Sequence, residues 1–119
     1  MRPQLQLALD MTDLNAALKI CKVTLPFIDW IETGTPLVVN TGLEAVRAVK
    51  SNFPYKPVVA DIKIVDAAQL MCNQTLEAGA DIITVLSSAA DNTIRTCVDL
   101  AHRQGRRVLG DHICTHPAP

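Results

Sequence analysis

The sequence predicts an α/β fold of the (β/α)8 TIM barrel class, here a partial barrel with about five parallel strands and four helices. Short apolar runs alternate with longer segments whose apolar residues are spaced as on one face of a helix. The runs are apolar on both sides, which is typical of buried parallel strands. No G-x-G-x-x-G turn follows the first run, and this favours a barrel over a doubly wound sheet.

The element boundaries follow from these runs and from residues that begin or end helices. The predicted strands are Leu5–Leu9, Phe27–Ile31, Pro57–Ile64, Asp81–Leu86 and Arg107–Leu109, the last extending to Ile113 at most. The predicted helices are Thr12–Val23, Thr41–Asn52, Ala67–Ala78 and Asn92–Gln104. Thr12 or Asp13 can cap the first helix, and Gly79 and Gly105 can end the last two. A turn is predicted directly after the second strand, at Gly34-Thr35-Pro36.

The 119 residues are enough for one domain, whereas a complete eight-stranded barrel needs roughly 200 to 250. The first and fifth strands would then carry open edges, which favour association with further strands. Three arrangements fit this length: a barrel that is cut short, a sheet completed by another chain, or a small flavodoxin-like sheet. Because the sequence ends soon after the fifth strand, we expect the first, with residues 1–119 forming the amino-terminal portion of a single barrel domain.

Composition and charge exclude several classes of function. Apolar residues make up 49 % of the chain and charged residues 19 %, as in a folded domain with a packed core. The net charge is −1, with one Trp, one Tyr and two Phe, so neither a basic surface for nucleic acid nor a base-stacking surface is expected. No apolar run approaches the roughly 20 residues of a membrane span, and no signal peptide is recognisable. We therefore expect a cytoplasmic protein with four reduced, mostly buried cysteines.

Charged residues stand at one end of the predicted strands. Asp10 ends the first strand, Glu32 the second, Asp61 and Lys63 the third, and Asp111 the fifth. In (β/α) barrels the active site forms at the carboxyl ends of the strands, so these side chains are candidate functional residues. Each acid taken singly is equally typical of a helix cap, and both interpretations stay open at this point.

Asp61 and Lys63 are two positions apart in a strand and therefore face the same way. Carboxylates that converge in a cavity of low dielectric repel one another and stay ionised only beside a cation. Lys63 is one such cation, and Mg²⁺ is another, since it prefers carboxylate oxygens. Magnesium would polarise a carbonyl and bind two oxygens of an enediolate, with Lys63 stabilising the same charge. The alternative is that Lys63 forms a structural salt bridge with Asp61 or Asp66.

The segment ADIKIVDA, Ala60 to Ala67, resembles the D-x-K-x-x-D signature of the orotidine-5′-monophosphate decarboxylase superfamily. Three further segments, LQLALD, WIETGTPLV and GADIITVLSSA, resemble its 3-hexulose-6-phosphate synthases, whose sister enzymes are the 3-keto-L-gulonate-6-phosphate decarboxylases. These segments span Leu5–Asp10, Trp30–Val38 and Gly79–Ala89. The resemblance covers nearly the whole chain, in order and without large gaps.

The resemblance implies a (β/α)8 barrel that works as a dimer, with active sites at the interface and magnesium stabilising an enediolate made from a sugar phosphate. It implies that Glu32 and Asp61 bind magnesium and that Asp10 contacts the substrate. Lys63 would stabilise the intermediate and Asp66 would reach the neighbouring subunit's site, so that Lys63, Asp66 and Asp61 are the candidate catalytic residues. The synthases add formaldehyde to ribulose 5-phosphate, whereas the sister enzymes release carbon dioxide.

Two details favour the synthases over the sister decarboxylases. The segment VLGDHICT, Val108 to Thr115, resembles the synthases' fifth strand, which carries Asp where the decarboxylases carry Glu. By this resemblance Asp111 is a substrate-binding residue. Ile62 and Val65 on either side of Lys63 are also similar to the synthases. One departure is Ala68, where the family has glycine, and alanine would be strained if that position needs a positive φ.

The second half of the family's pattern has no counterpart in these 119 residues. In the family, the last two strands supply phosphate-binding loops, and the region of the sixth strand supplies a His/Arg pair. We therefore expect little activity from this chain alone, because binding energy at the phosphate is lost. The alternatives are a decarboxylase-like lyase and a non-catalytic half barrel that associates with itself.

Two clusters near the carboxyl end are given no functional role. Three residues alternate as zinc ligands would, but the sequence identifies no fourth ligand; they are His112, Cys114 and His116. Four basic residues at the end of the last predicted helix are expected to offset the helix dipole and to stay solvated. They are His102, Arg103, Arg106 and Arg107.

Overall fold

The computed structural model describes residues 2–113 and 115, so that Cys114 and His116, two of the three possible zinc ligands, lie outside the described residues. The strands are β1 (Gln6–Leu9), β2 (Trp30–Thr33), β3 (Val58–Ile64), β4 (Ile82–Leu86) and β5 (Arg107–Asp111). The helices are α1 (Leu14–Thr24), α2 (Thr35–Thr41), α3 (Glu44–Asn52), α4 (Ala68–Glu77) and α5 (Asp91–Arg103). None of the helices in this described part of the chain is long and apolar enough to cross a membrane.

The strands pair in their order along the chain, β1-β2-β3-β4-β5, and every pair is parallel. Right-handed crossovers between strands that succeed one another in one direction place all the connecting helices on the same face of the sheet. A flavodoxin-like sheet instead reverses its strand order and carries helices on both faces. The predicted partial (β/α) barrel is therefore confirmed over the flavodoxin-like alternative.

The core lies between the helices and the sheet face that they cover. Alternate strand residues such as Leu9, Ile31 and Ala60 are buried in it together with the inner sides of the helices. Val59 and Ile82, one position away along their strands, are also buried but do not belong to this helix-side core. The sheet thus has two faces with different roles, one packed on helices and one free for a site.

The face without helices is concave. The guanidinium of Arg107 in β5 lies over the ring of Trp30 in β2, 4.9 Å from its centroid. Neighbouring strands are about 4.8 Å apart, so side chains three strands apart meet this closely only when the sheet curls toward them. At the other end of the strands, Lys63 of β3 and Asp111 of β5 also meet across β4. The curled sheet therefore gathers side chains from several strands into one hollow.

Residues 2–113 form five helices where four were predicted. The predicted turn at residues 34–36 begins helix α2 instead, with Gly34 in extended conformation at the N-cap and Pro36 in the first helical turn. Proline is favoured at the start of a helix because its fixed φ suits the helix and its missing N–H has no partner there. Gly42, at φ 63°, then ends α2 and separates it from α3. The predicted helix Thr41–Asn52 therefore corresponds to α3, which begins three residues later at Glu44, and α2 was not predicted.

Three cysteines, Cys21, Cys72 and Cys97, are fully buried and free, as the sequence predicts. Burial raises the pKa of the Cys21 and Cys72 thiols to about 11. Such thiols stay protonated and are poor nucleophiles, because the thiolate is the reactive form. These residues therefore act as small apolar side chains of the core.

Candidate active site

Asp61 of β3 lies at the centre of a hydrogen-bonded cluster near the carboxyl ends of the strands, and the residue is 7 % exposed. The Thr84 hydroxyl of β4 donates to Asp61 Oδ1 at 3.0 Å, and the Thr35 hydroxyl donates to Oδ2 at 2.8 Å. The Lys63 ammonium also donates to Oδ2. Contacts from β3, β4 and the first residue of α2 therefore fix the orientation of this carboxylate.

The Lys63 ammonium lies between two carboxylates. One is Asp61, and the other is Asp111, whose Oδ2 is 3.2 Å from Lys63 Nζ. The ammonium also donates to Thr35 Oγ1 at 3.1 Å. The salt bridge predicted from the sequence is present with Asp61, whereas Asp66 is not a partner of Lys63 among the described ion pairs. Asp111 contacts Lys63 because β5 extends to that residue.

Hydrogen bonding sets the charge states of this pair. Burial alone would raise the pKa of Asp61, but hydrogen bonds from Lys63, Thr35 and Thr84 outweigh it and hold the pKa below its usual value. Burial would likewise lower the pKa of Lys63, but hydrogen bonds and attraction from Asp61 and Asp111 raise it above its usual value. Both groups therefore remain charged at neutral pH, and Lys63 is a fixed cation.

Glu32 of β2 shares this end of the sheet. Its Oε2 accepts a hydrogen bond from Gln6 Nε2 of β1 at 3.0 Å. Burial raises the pKa of Glu32, and the charges of Asp61 and Asp10 raise it further, while Gln6 and Lys63 act in the opposite sense. The strand-end acids thus repel one another, as expected of carboxylates that share a hollow.

Asp10 follows β1 and is exposed, with its side chain against the backbone of Gly34. A Cβ added at Gly34 would collide with the Asp10 carboxylate and would lie 2.7 Å from the Leu9 carbonyl oxygen. Glycine at position 34 is therefore required by the close approach of the two strand ends. It allows the Asp10 carboxylate to lie beside the first turn of α2.

The strand-end acids do not act as helix caps in the described helices. The N-cap of α1 is Asp13, whose Oδ1 accepts from the Ala16 amide at 3.1 Å. The helices after β2 and β3 begin at Gly34 and Ala67, neither of which supplies a side-chain cap. The cap interpretation is therefore wrong for Asp10, Glu32 and Asp61, although Asp13 was correctly predicted for α1.

The end of β3 has an unusual backbone. Lys63 and Ala67 have positive φ angles, 48° and 45°, and the pairing of β3 with β4 shifts register between Ala60 and Ile64. The strain anticipated at Ala68 is absent, because Ala68 is the first residue of α4 and Ala67 takes the left-handed conformation instead. Asp66 lies in the short loop between Ile64 and α4 and is exposed.

Two residues of the site, Thr35 and Thr84, were not predicted. Thr84 accepts a hydrogen bond from the Lys63 amide at 2.8 Å while donating to Asp61. Thr35 bonds to both members of the ion pair. A threonine in a strand is most simply a β-branched residue that suits the sheet, so its type carries no signal of this role. For Thr35, its place directly after strand two was the available clue.

A family model described as orotidine 5′-phosphate decarboxylase / HUMPS family matches residues 3–118. The chain belongs to this family. The 3-hexulose-6-phosphate synthase of Bacillus subtilis (strain 168) is 44 % identical over 110 residues, which are 92 % of this chain and 52 % of that protein. The chain thus spans about half the length of the curated relatives that it matches.

Solved structures of the family agree with this fold. A crystal structure of 3-hexulose-6-phosphate synthase from Salmonella typhimurium superimposes with a TM-score of 0.93 at 36 % identity, covering 97 % of this chain and 55 % of that one. A 3-keto-L-gulonate-6-phosphate decarboxylase from Vibrio cholerae has a TM-score of 0.88 at 33 % identity, covering 91 % and 50 %. The described strands and helices therefore correspond to about half of a family barrel.

The carboxylates at the carboxyl ends of the strands are of the ligand type that suits the magnesium ion implied by the resemblance to the family. Glu32 and Asp61 supply two carboxylates, and Mg²⁺ is usually bound by one or two carboxylates together with waters and substrate oxygens. Burial and, to a smaller extent, repulsion from Asp61 and Asp10 raise the pKa of Glu32, and a cation would offset both effects. Among the described residues no group of three or more His, Cys, Asp or Glu is arranged to hold a metal, so waters or substrate would have to complete the shell.

Proposed function

We propose that this chain carries the amino-terminal part of a carbon–carbon lyase site that acts on a sugar phosphate with the chemistry of 3-hexulose-6-phosphate synthase. The reaction is the addition of formaldehyde to ribulose 5-phosphate through an enediolate. The observation that carries the proposal is the Lys63 ammonium, held between Asp61 and Asp111 at the strand ends beside Glu32. This is a preorganised cation of the kind that stabilises developing negative charge on oxygen.

The charge states of the site suggest what each residue does. Lys63 keeps its proton, because the two carboxylates raise its pKa, so it stabilises an enediolate as a cation and does not act as a base. Thr35 and Thr84 orient Asp61 and leave it charged. Magnesium bound by Glu32 and Asp61 would supply a Lewis acid for the two oxygens of the enediolate.

We also propose that the active form is a homodimer in which Asp66 contacts the neighbouring subunit's site. Asp66 is exposed in the loop before α4 and makes no described bond to Lys63. Apolar side chains lie exposed nearby, with Val65 at 51 % and Leu70 at 60 %. Apolar residues beside a functional acid are what an interface would cover.

A decarboxylase-like lyase is the second candidate, supported by the similarity to the Vibrio cholerae enzyme. A third candidate, of another class, is a non-catalytic half barrel that associates through its open strands. Its support is the exposure of the concave face at the sheet edges, where Leu109 of β5 is 43 % exposed. The three candidates differ in what a completed barrel would do.

A chimera tests the proposal directly. The carboxyl-terminal half of the Bacillus subtilis relative is fused to this chain, and formaldehyde-dependent loss of ribulose 5-phosphate is measured. We expect activity in the chimera, at least about a hundredfold less in its Lys63→Met variant, and little in the 119-residue chain alone. A folded chimera that instead releases carbon dioxide from 3-keto-L-gulonate 6-phosphate would support the second candidate, and one inactive in both assays would support the third.

Turnover by the purified 119-residue chain would refute the claim that it needs further residues for activity. The mass of the chain in solution, measured by light scattering after size-exclusion chromatography, tests the homodimer. In a mixed dimer, one subunit carries Asp66→Asn and the other carries Lys63→Met. Mixing should restore activity only if Asp66 and Lys63 of one subunit belong to different active sites. A monomeric active chimera would disprove the shared site.

A further inference from the structure

A second hollow lies at the opposite, amino-terminal ends of β3, β4 and β5. It has a volume of about 270 Å³, and four basic residues are among those that line it: Lys50, Lys56, Arg106 and Arg107. Asp81 is the carboxylate among the lining residues, so the hollow has an excess of three positive charges. The sequence predicts that Arg106 and Arg107 stay solvated near a helix end; Arg107 is exposed, whereas Arg106 is half-buried and its guanidinium bonds to Asp81.

Asp81 holds two of these cations in place, and both of its carboxylate oxygens accept hydrogen bonds. Its Oδ1 accepts from Arg106, and its Oδ2 accepts from Lys50 at 2.7 Å and from the Val58 amide at 2.9 Å. An ammonium has three N–H donors and a guanidinium has five, so Lys50 and Arg106 both keep donors for another acceptor. The carboxylate therefore orients the two cations while leaving them able to bind an anion.

The other two cations are placed by different contacts. Lys56 donates to the Ile28 carbonyl oxygen, and Arg107 lies 4.9 Å over the Trp30 ring. Neither contact neutralises the charge. The side chains of Lys50 and Arg106 are 25 % and 37 % exposed, so the charges are partly shielded from water without being enclosed.

We propose that this hollow binds a diphosphate group, either free or as part of a nucleotide. Charge-assisted hydrogen bonds from lysine and arginine to phosphate are strong, and arginine can bind two oxygens at once. A volume of about 270 Å³ is large enough to hold a diphosphate group. Tyr55, which also lines the hollow and is 97 % exposed, offers a ring on which a base could stack.

Calorimetric titration of the full chain with pyrophosphate, in magnesium-free buffer of low ionic strength, tests the proposal. Lys56→Gln and Arg107→Gln are the informative variants, because neither side chain is among the described donors to the Asp81 carboxylate. We expect each to weaken binding about tenfold, and the double variant about a hundredfold. Pyrophosphate should also change the fluorescence of Trp30, the chain's one tryptophan, and this response should be lost in Arg107→Gln.

Two control variants make the test specific. Arg95→Gln removes an exposed cation of α5, and Lys63→Gln removes the cation at the other end of the strands. Both should bind pyrophosphate within about twofold of the unchanged chain, after each fold is checked by circular dichroism. If Arg95→Gln weakens pyrophosphate binding equally, the attraction is a general effect of charge. If Lys63→Gln weakens it, the anion binds at the carboxyl ends of the strands. Either result overturns the proposal.

Further ligands separate a diphosphate from related anions. Inorganic phosphate should bind at least about tenfold more weakly than pyrophosphate, since it reaches fewer of the four cations. Equal affinities, or no binding of pyrophosphate, would overturn the proposal. Tighter binding of ADP than of pyrophosphate, lost in Tyr55→Ala, would identify a nucleotide as the source of the group, and equal affinities would identify free diphosphate.

Discussion

Thr84 supports two parts of the site at once, because its hydroxyl accepts from the Lys63 amide and donates to Asp61. Thr84→Val keeps the shape but leaves the part-buried Lys63 N–H without its acceptor and the buried Asp61 Oδ1 without this donor. We expect the free energy of unfolding to fall by about 2 kcal/mol in urea titrations. Thr75→Val is the control, since the Thr75 hydroxyl donates to a helix carbonyl and its loss should cost under about 1 kcal/mol. Equal losses would mean that Thr84 has no special role.

The lowered pKa of Asp61 makes stability depend on pH in a defined window. Because the folded-state pKa lies below the usual value of 3.8, the contribution of Asp61 is full above pH 3.8 and is lost as the pH falls through the folded-state pKa. The difference in unfolding free energy between the unchanged chain and Asp61→Asn should therefore be constant near neutral pH and shrink in acid. Exposed Asp99→Asn should show no such trend. A constant difference down to about pH 2 would exclude the shifted pKa.

Residue types announced the charges of the site but not its hydroxyl groups. An acid at the end of an apolar run needs an explanation, so Asp10, Asp61 and Asp111 stood out in the sequence. A threonine in a strand needs none, since β-branched residues are common there. The contact between Lys63 and Asp111 depends on the curl of the sheet across β4, which no local pattern of residues encodes.

At the scale of elements, the left-handed conformation of Ala67 before α4 is a local cost to stability. Alanine at positive φ is strained by roughly 1 kcal/mol, and glycine relieves that strain at some cost in chain entropy. We expect Ala67→Gly to raise the unfolding free energy by about 0.5 kcal/mol. Ala68→Gly, within α4, should lower it by up to about 1 kcal/mol. If both variants are destabilised equally, the conformation of residue 67 is not as described.

Strands and helices were predictable to within a few residues wherever apolar spacing was regular. The exception was α2, whose Gly34-Thr35-Pro36 start has the composition of a turn. The same three residues suit a helix N-terminus, with glycine at the cap and proline in the first turn. Composition does not separate the two, and the packing of Leu37 into the core decides for the helix.

At the scale of the whole molecule, magnesium should stabilise the folded chain, because the unfolded chain cannot gather Glu32 and Asp61. We expect Mg²⁺ to raise the melting temperature, and a chelator to reverse the rise. Asp61→Asn should weaken the effect by leaving one carboxylate. Glu32→Gln should raise stability without metal, since it removes a carboxylate that burial and repulsion disfavour, and it should weaken the response to Mg²⁺ as Asp61→Asn does. Equal affinity for Mg²⁺ in the unchanged chain and Asp61→Asn would remove Asp61 from the ligand set.

The βα topology was predictable from the sequence, because alternating βα units permit few topologies once the handedness of the crossovers is fixed. The sequence could not distinguish a barrel cut short from a small open sheet by periodicity, since both have buried parallel strands. The strand order decided between them. The apolar pattern of a single strand does not show what pairs with the open edges of β1 and β5.

Each strand pairs with its immediate predecessor in the chain. During synthesis the strands therefore emerge from the ribosome in the order in which they pair. When a new strand emerges, the preceding strand is already available to pair with it. The helix that follows then packs on the same face of the sheet as the earlier helices. Growth can therefore proceed unit by unit during synthesis, with a single growing edge exposed at its front.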